Sequence, residues 1–300
     1  MPVPLVEAAP AKVNLTLRVI GRRADGYHEI SSLVAFADCG DRLSLEPGDS
    51  LVLTVGGPRA RDVGAEADNL VLKAARALAA RVPGLIPGAF HLDKELPIAA
   101  GIGGGSADAA AALRLLARAN NLSSGDPRLY EAARATGADV PVCIESRPRL
   151  MWGIGERLSP ALNLPPLSAV LVNPGVALAT KDVFANWTKD AKAALPLDIA
   201  DVEGIQGEAG LLELLARDGN DLEQPARTLA PVVAEAIAAL LALPGCRLAR
   251  MSGSGATCFG IFDSPDTART AALALPGKFP RWWVQPCRLG APAEEGRFRT

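Results

Sequence analysis

Pro97-Ile98-Ala99-Ala100-Gly101-Ile102-Gly103-Gly104-Gly105-Ser106-Ala107-Asp108 runs straight into an alanine- and leucine-rich stretch that ends at Asn120. Four glycines, Gly101 and Gly103 to Gly105, stand directly before this strong helix former. Glycine admits positive φ and removes the side chains that would hold a ligand off the backbone. The pattern predicts Ser106 as the helix N-cap and Asp108 in the first turn, where the helix dipole favours negative charge. Leu113, Leu115 and Leu116 supply the apolar face. A glycine-rich loop feeding a helix N-terminus offers free N–H groups to an anion, and phosphate is the usual guest. Linkers of similar composition seldom lead into a capped helix.

Two common phosphate loops do not fit these letters. A Walker A loop ends in Gly-Lys-Ser/Thr, whereas Gly105 is followed by Ser106 with no lysine. A dinucleotide fingerprint needs a third glycine where Ser106 stands, and an acidic residue about twenty positions later that closes a βαβ unit. A third kind of phosphate loop is required.

Around the loop, the 300 residues are 49% apolar and 21% charged, enough for a sizeable core in one large or two moderate domains. Net charge is −2 and the pI is about 5.8. Such a balance disfavours nucleic acid as a partner, and any grip on an anion must be local. Five scattered cysteines without Cys-x-x-Cys spacing read as core residues in a reducing, cytoplasmic compartment. Neither a signal peptide nor an apolar run of about eighteen residues is visible, so no membrane partner is expected.

Upstream, Ala11 to Ile20 alternates, with Val13, Leu15, Leu17 and Val19 on one face and Lys12, Asn14, Thr16 and Arg18 on the other. The spacing predicts a half-buried strand with Lys12 and Asn14 about 7 Å apart. Asp25-Gly26 predicts a hairpin, and Tyr27 and His28 leave it with faces and polar tips suited to a planar base. Asp41 to Val55 reads as two strands, and Asn69 precedes a helix over 70–81. Gly137 to Cys143 reads as a turn with Asp139 among small and apolar neighbours, where a carboxylate is costly unless paired.

Prolines 160, 165 and 166 predict a domain seam, dividing the chain into residues 1–162 and 163–300. Beyond it, Thr180 is expected to cap a helix carrying Phe184 and Trp187. Ser252-Gly253-Ser254-Gly255 forms a second glycine-rich turn. Four strands interleaved with helices suggest a ferredoxin-like α+β half, followed by a loose charged tail from Ala291.

Three stretches now stand together: Pro10-Ala11-Lys12-Val13-Asn14-Leu15, Pro97 to Ala110, and Met251 to Gly260. This set resembles the three-motif pattern of the GHMP small-molecule kinases, and the resemblance runs from about Pro10 to Phe262. It implies a two-domain α+β body, with an N-terminal half like the second domain of ribosomal protein S5 and a ferredoxin-like C-terminal half. ATP and an alcohol would meet in the cleft between them. Gly26-Tyr27-His28 and Gly137-Ala138-Asp139-Val140-Pro141 narrow the likeness to members whose small-molecule substrate is cytidine diphosphate methylerythritol, on a route to isoprenoids. The alternative is a mevalonate- or homoserine-type member.

By that resemblance, Pro97 to Ala107 wraps the triphosphate, and Asn69, Leu70 and Lys94 line the adenine side. Gly253, Ser254 and Gly255 close over the reacting phosphates. Asp139 takes the proton of the acceptor hydroxyl with Lys12 beside it. Asn14, Tyr27 and His28 hold the cytidine end, and Thr180 and Phe184 form its far wall. Mg²⁺ is expected with the triphosphate; Ser106 is its candidate ligand, and the sequence names no carboxylate for it. A monomer or weak homodimer is expected. Ala99, Ile102 and Ala107 depart from the family's usual glycine, leucine and second serine. The last change puts one hydroxyl contact in question but spares the backbone cradle.

Overall fold

The computed structural model describes residues 4–64, 69–188 and 196–290. The N-terminal half begins with β1 (Leu5–Asn14), β2 (Arg18–Arg22), β3 (His28–Glu46) and β4 (Val52–Gly56). Helix α1 (Leu70–Ala79), β5 (Ala89–Asp93) and α2 (Gly104–Ala119) follow. Then come α3 (Pro127–Thr136), α4 (Val140–Glu145), β6 (Arg149–Gly153) and β7 (Arg157–Leu158). Strand β3 is the shared member of this half. It pairs with β2 and β6 near its start, with β1 along most of its length, and with β5 at its end.

After the proline-rich seam the chain forms β8 (Leu167–Asn173), α5 (Thr180–Ala185), α6 (Ile199–Glu203), α7 (Gly207–Arg217), α8 (Glu223–Leu229) and α9 (Val232–Leu241). It closes with β9 (Cys246–Met251), β10 (Cys258–Phe262), α10 (Pro265–Lys278) and β11 (Trp283–Gly290). These four strands lie in the antiparallel order β11-β8-β10-β9. That is the split β-α-β arrangement expected of a ferredoxin-like half. Strand β11 also pairs with β3, so one mixed sheet runs through both halves.

The core follows from this layering. Helix α2 is buried from Ala107 to Ala117. Its run of alanines lets the helix lie close against the sheet, and Leu113 and Leu116 pack with Phe36, Phe90 and Leu72. In the C-terminal half, Val233, Ile237 and Leu240 of α9 pack with Val172 and Phe262. A third cluster joins the halves, bringing Val13, Leu33 and Ile102 together with Leu171, Phe259 and Leu289.

Several local expectations are corrected. The stretch from Ala11 to Ile20 is two strands, β1 and β2, and it is not half-buried: Lys12, Asn14 and Thr16 are buried as fully as Val13 and Leu15. Other loops cover its polar face. Lys12 N donates to Ile102 O at 2.9 Å, and Asn14 N donates to Ser252 Oγ at 3.0 Å. The first of the two strands expected after Asp41 is the end of β3. Helix α2 starts two residues earlier than Ser106, with Gly103 as N-cap at φ 61°. Asp139 precedes a helix, α4, where a turn was expected. Thr180 does not cap α5; Ala179 holds the N-cap position. The tail from Ala291 lies outside the described residues.

Candidate active site

The three glycine- and lysine-bearing stretches converge on one cleft of about 1240 Å³, more than a single small ligand usually occupies. Lys12 reaches it from β1, its stem enclosed and its ammonium 2.8 Å from Asp139 Oδ2. The two side chains are 5% and 39% exposed, so the lysine is fixed while the carboxylate faces the opening. Gly103 allows this approach: a Cβ there would lie 3.1 Å from Lys12 Cβ.

The loop supplies the wall beside Lys12. Ala107 N donates to Gly103 O at 2.8 Å as the helix begins. The N–H groups of Gly104, Gly105 and Ser106 therefore precede the helical ladder and border the cleft, at the positive end of a 16-residue helix. The second glycine-rich turn locks onto the first. Ser252 Oγ donates to Gly101 O at 2.9 Å, and Thr257 N donates to Ala100 O at 3.0 Å. Gly101 sits at φ 73°, and a Cβ on it would come within 2.6 Å of the Ser252 carbonyl. Ala99 adopts φ 50° at the position where the family usually has glycine, so its backbone takes the glycine-like conformation despite its methyl group.

Aromatic rings form the remaining wall. His28, where β3 begins, stacks on Phe184 of α5 with centroids 4.8 Å apart, and Trp187 meets it edge-on at 5.8 Å. Burial, together with the charge of Arg22, draws His28 below its ordinary pKa, so the ring is neutral at pH 7. Tyr27 stands 61% exposed beside it. Thr180 Oγ1 lies 2.9 Å from Ser254 Oγ and ties this wall to the second glycine-rich turn. Asn14 is committed beneath the same turn, its side-chain amide donating to Ser32 Oγ at 2.7 Å.

Lys94 borders the cleft, but its ammonium turns into the protein. It bonds Asp41 Oδ2 at 2.5 Å and Asp108 Oδ2 at 2.7 Å. Because α2 begins at Gly104, Asp108 lies beyond the first turn where it was expected, and it is buried; burial pushes it up to about 8 against the pull of Lys94. Ile102 and Ala107, expected in the phosphate wrap, have their side chains in the core and do not line the cleft. The other expected loop residues line it, as do Asn69 and Leu70; Asn69 Oδ1 caps α1 by accepting from Val71 N at 2.9 Å. Sequence reasoning did not assign Arg22, Lys181 and Trp187 to the site, although all three line the cleft. The helix expected to carry both Phe184 and Trp187 ends at Ala185, so Trp187 reaches the cleft from the segment just past α5.

A cradle of free backbone amides, a lysine–aspartate pair and a separate aromatic wall suit phosphoryl transfer to a small molecule. Models of the GHMP kinases N terminal domain and the GHMP kinases C terminal match residues 69–147 and 202–281. The chain belongs to the GHMP kinase family, whose members are ATP-dependent small-molecule kinases.

Within the family, it is 58% identical to 4-diphosphocytidyl-2-C-methyl-D-erythritol kinase of Rhodopseudomonas palustris (strain BisB5), over 93% of this chain and 97% of that protein. Identity is 59% to the protein of the same name from Nitrobacter hamburgensis, over 93% and 94% of the two chains. A crystal structure of 4-(cytidine 5'-diphospho)-2C-methyl-D-erythritol kinase matches with a TM-score of 0.75 at 37% identity, covering 95% of this chain and 99% of that one. Homoserine kinase from Cytophaga hutchinsonii, at TM-score 0.68 and 19% identity over 96% and 95% of the chains, shares the fold. No helix among the described residues is long and apolar enough to cross a membrane.

Proposed function

We propose that this kinase transfers the γ-phosphoryl group of ATP to the 2-hydroxyl of 4-diphosphocytidyl-2-C-methyl-D-erythritol, giving the 2-phosphate and ADP, on the methylerythritol phosphate route to isoprenoids. The observation that carries the reading is the 2.8 Å Lys12–Asp139 contact where the amide-lined and aromatic walls meet. High identity along nearly the whole chain to enzymes named for that acceptor supports the substrate.

Lys12 occupies Asp139 Oδ2 and leaves Oδ1 to take the proton of the acceptor hydroxyl. The freed oxygen attacks the γ-phosphorus, and the bond to the β–γ bridging oxygen breaks as ADP leaves. Lys12 stays cationic and steadies the negative charge on the transferring group. Amides of Gly103 to Ser106 hold the phosphate oxygens, and Asn69 and Leu70 edge the adenine. Tyr27 and Phe184 take the cytosine, with His28 and Asn14 behind them. Among the described residues no group of three His, Cys, Asp or Glu side chains is assembled for a metal. Ser106 lines the cleft at the start of α2 and would be the protein ligand of a Mg²⁺ ion carried on the triphosphate, which would offset phosphate charge. The protein works in the cytoplasm as a monomer or weak homodimer, with its domain boundary between residues 162 and 163.

The decisive experiment supplies ATP with this acceptor and identifies the product by mass. Formation of ADP and a singly phosphorylated acceptor is expected. Turnover of mevalonate or homoserine in its place would move the protein to another branch of the family.

A further inference from the structure

Behind the phosphate loop, three charged-type side chains meet where the mechanism uses none of them. Asp41 of β3, Lys94 just past β5 and Asp108 of α2 have side chains 0%, 3% and 5% exposed. Their contacts span the loop. Asp41 Oδ1 accepts from Glu95 N at 2.7 Å and from Leu96 N at 2.8 Å, fixing the backbone immediately before Pro97. Asp41 Oδ2 and Asp108 Oδ2 share the Lys94 ammonium, which ties the first turns of α2 to the same point on β3. The ammonium also lies under the helix start, 3.3 Å from where a Cβ on Gly104 would be. Asp108 Oδ1 is buried with no hydrogen-bond partner, so the cluster is not built for maximum stability.

Buried charged clusters of this kind contribute little net stability and are better suited to fixing a geometry. We propose that Asp41, Lys94 and Asp108 are positioning residues that set the spacing between the two ends of the phosphate loop, and so aim its amides at the triphosphate. None of the three has to touch ATP. The loop's middle is held from the far side by Lys12 N, Ser252 Oγ and Thr257 N. Without the cluster, its ends would lose their common anchor while its middle stayed in place. The inference rests on the kinase reading above.

Asp108→Leu removes the helix tie while leaving the Lys94–Asp41 pair, and Asp108→Asn keeps an oxygen for Lys94. Calorimetry with ATP alone and with cytidine 5'-diphosphate alone, together with hydrogen exchange over residues 97–106, makes the test. Asp108→Leu is expected to weaken ATP at least about tenfold, the scale of a small misplacement of aligned groups. It should speed exchange in the loop and leave cytidine diphosphate affinity unchanged, and Asp108→Asn should restore most of the ATP affinity. Wild-type ATP affinity in Asp108→Leu, equal losses for both ligands, or no rescue by Asp108→Asn would overturn the proposal. If Asp108→Leu does not fold, Lys94→Gln, too short to bridge both carboxylates, takes its place. Failure of both to fold would assign the cluster to folding and end the positioning claim. Wild-type protein that binds ATP but not cytidine diphosphate would instead indict the acceptor reading.

Discussion

The two walls of the cleft are built by different means. The phosphate wall is main chain: Gly101 and Gly103 to Ser106 present amides, and side chains are removed wherever they would interfere. The other wall is side chain: Tyr27 and His28 lie more than 150 residues from Phe184 and Trp187 in sequence, and His28 meets Phe184 face to face and Trp187 edge-on. Main-chain recognition reads charge and shape, and it suits a triphosphate common to many enzymes. Ring-lined recognition reads one base, and it can be changed residue by residue without disturbing the first wall. Lys12 and Asp139 stand at the border and belong to both.

That division can be broken at graded cost. Asp139→Asn, at the border, should lower kcat by about a hundredfold or more, as loss of a general base does, while ATP and cytidine diphosphate bind as before. Steady-state kinetics beside calorimetry checks this, and near-normal turnover would remove Asp139 from its role. Gly101→Val drives a side chain into the Ser252 carbonyl. It should raise KM for ATP by about thirtyfold, the middle of the usual overpacking range, and spare the acceptor KM. Phe184→Ala should do the reverse, raising acceptor KM about tenfold through lost base stacking with ATP KM unchanged. A rise in both constants would mean that the walls are not independent. Ala99→Gly relieves the positive φ of the loop and should add up to about 1 kcal/mol in denaturant unfolding at unchanged kcat.

The same contrast explains what could be read from the sequence. The glycine-rich loop and the helix behind it were legible because glycine spacing before an alanine-rich run has few other physical uses. The ferredoxin-like order of the C-terminal strands was legible from alternating strand and helix patterns. Local pattern misplaced the helix start because Gly103 caps α2 through its left-handed backbone, with no side chain involved. It read the strand carrying Lys12 and Asn14 as half-buried because the cover of its polar face comes from Ile102 and Ser252, distant in sequence. It placed Lys94 at the cleft, which Lys94 does line, but could not foresee that its ammonium pairs inward, because nothing local announces Asp41 and Asp108 as its partners. Trp187 was expected on a helix with Phe184, but that helix stops at Ala185, and only the fold brings His28 to its ring.

Strand β11, near the end of the described chain, lies between β3 and β8 and hydrogen-bonds to both. A ribosome must therefore deliver residue 290 before the two halves can share a sheet. Until then the growing polypeptide exposes two unpaired strand edges, the kind of surface that chaperones shield and that neighbouring nascent chains can capture. Translation that stalls before β11 would release a product holding every cleft-lining residue but without the strand that joins the two halves into one sheet.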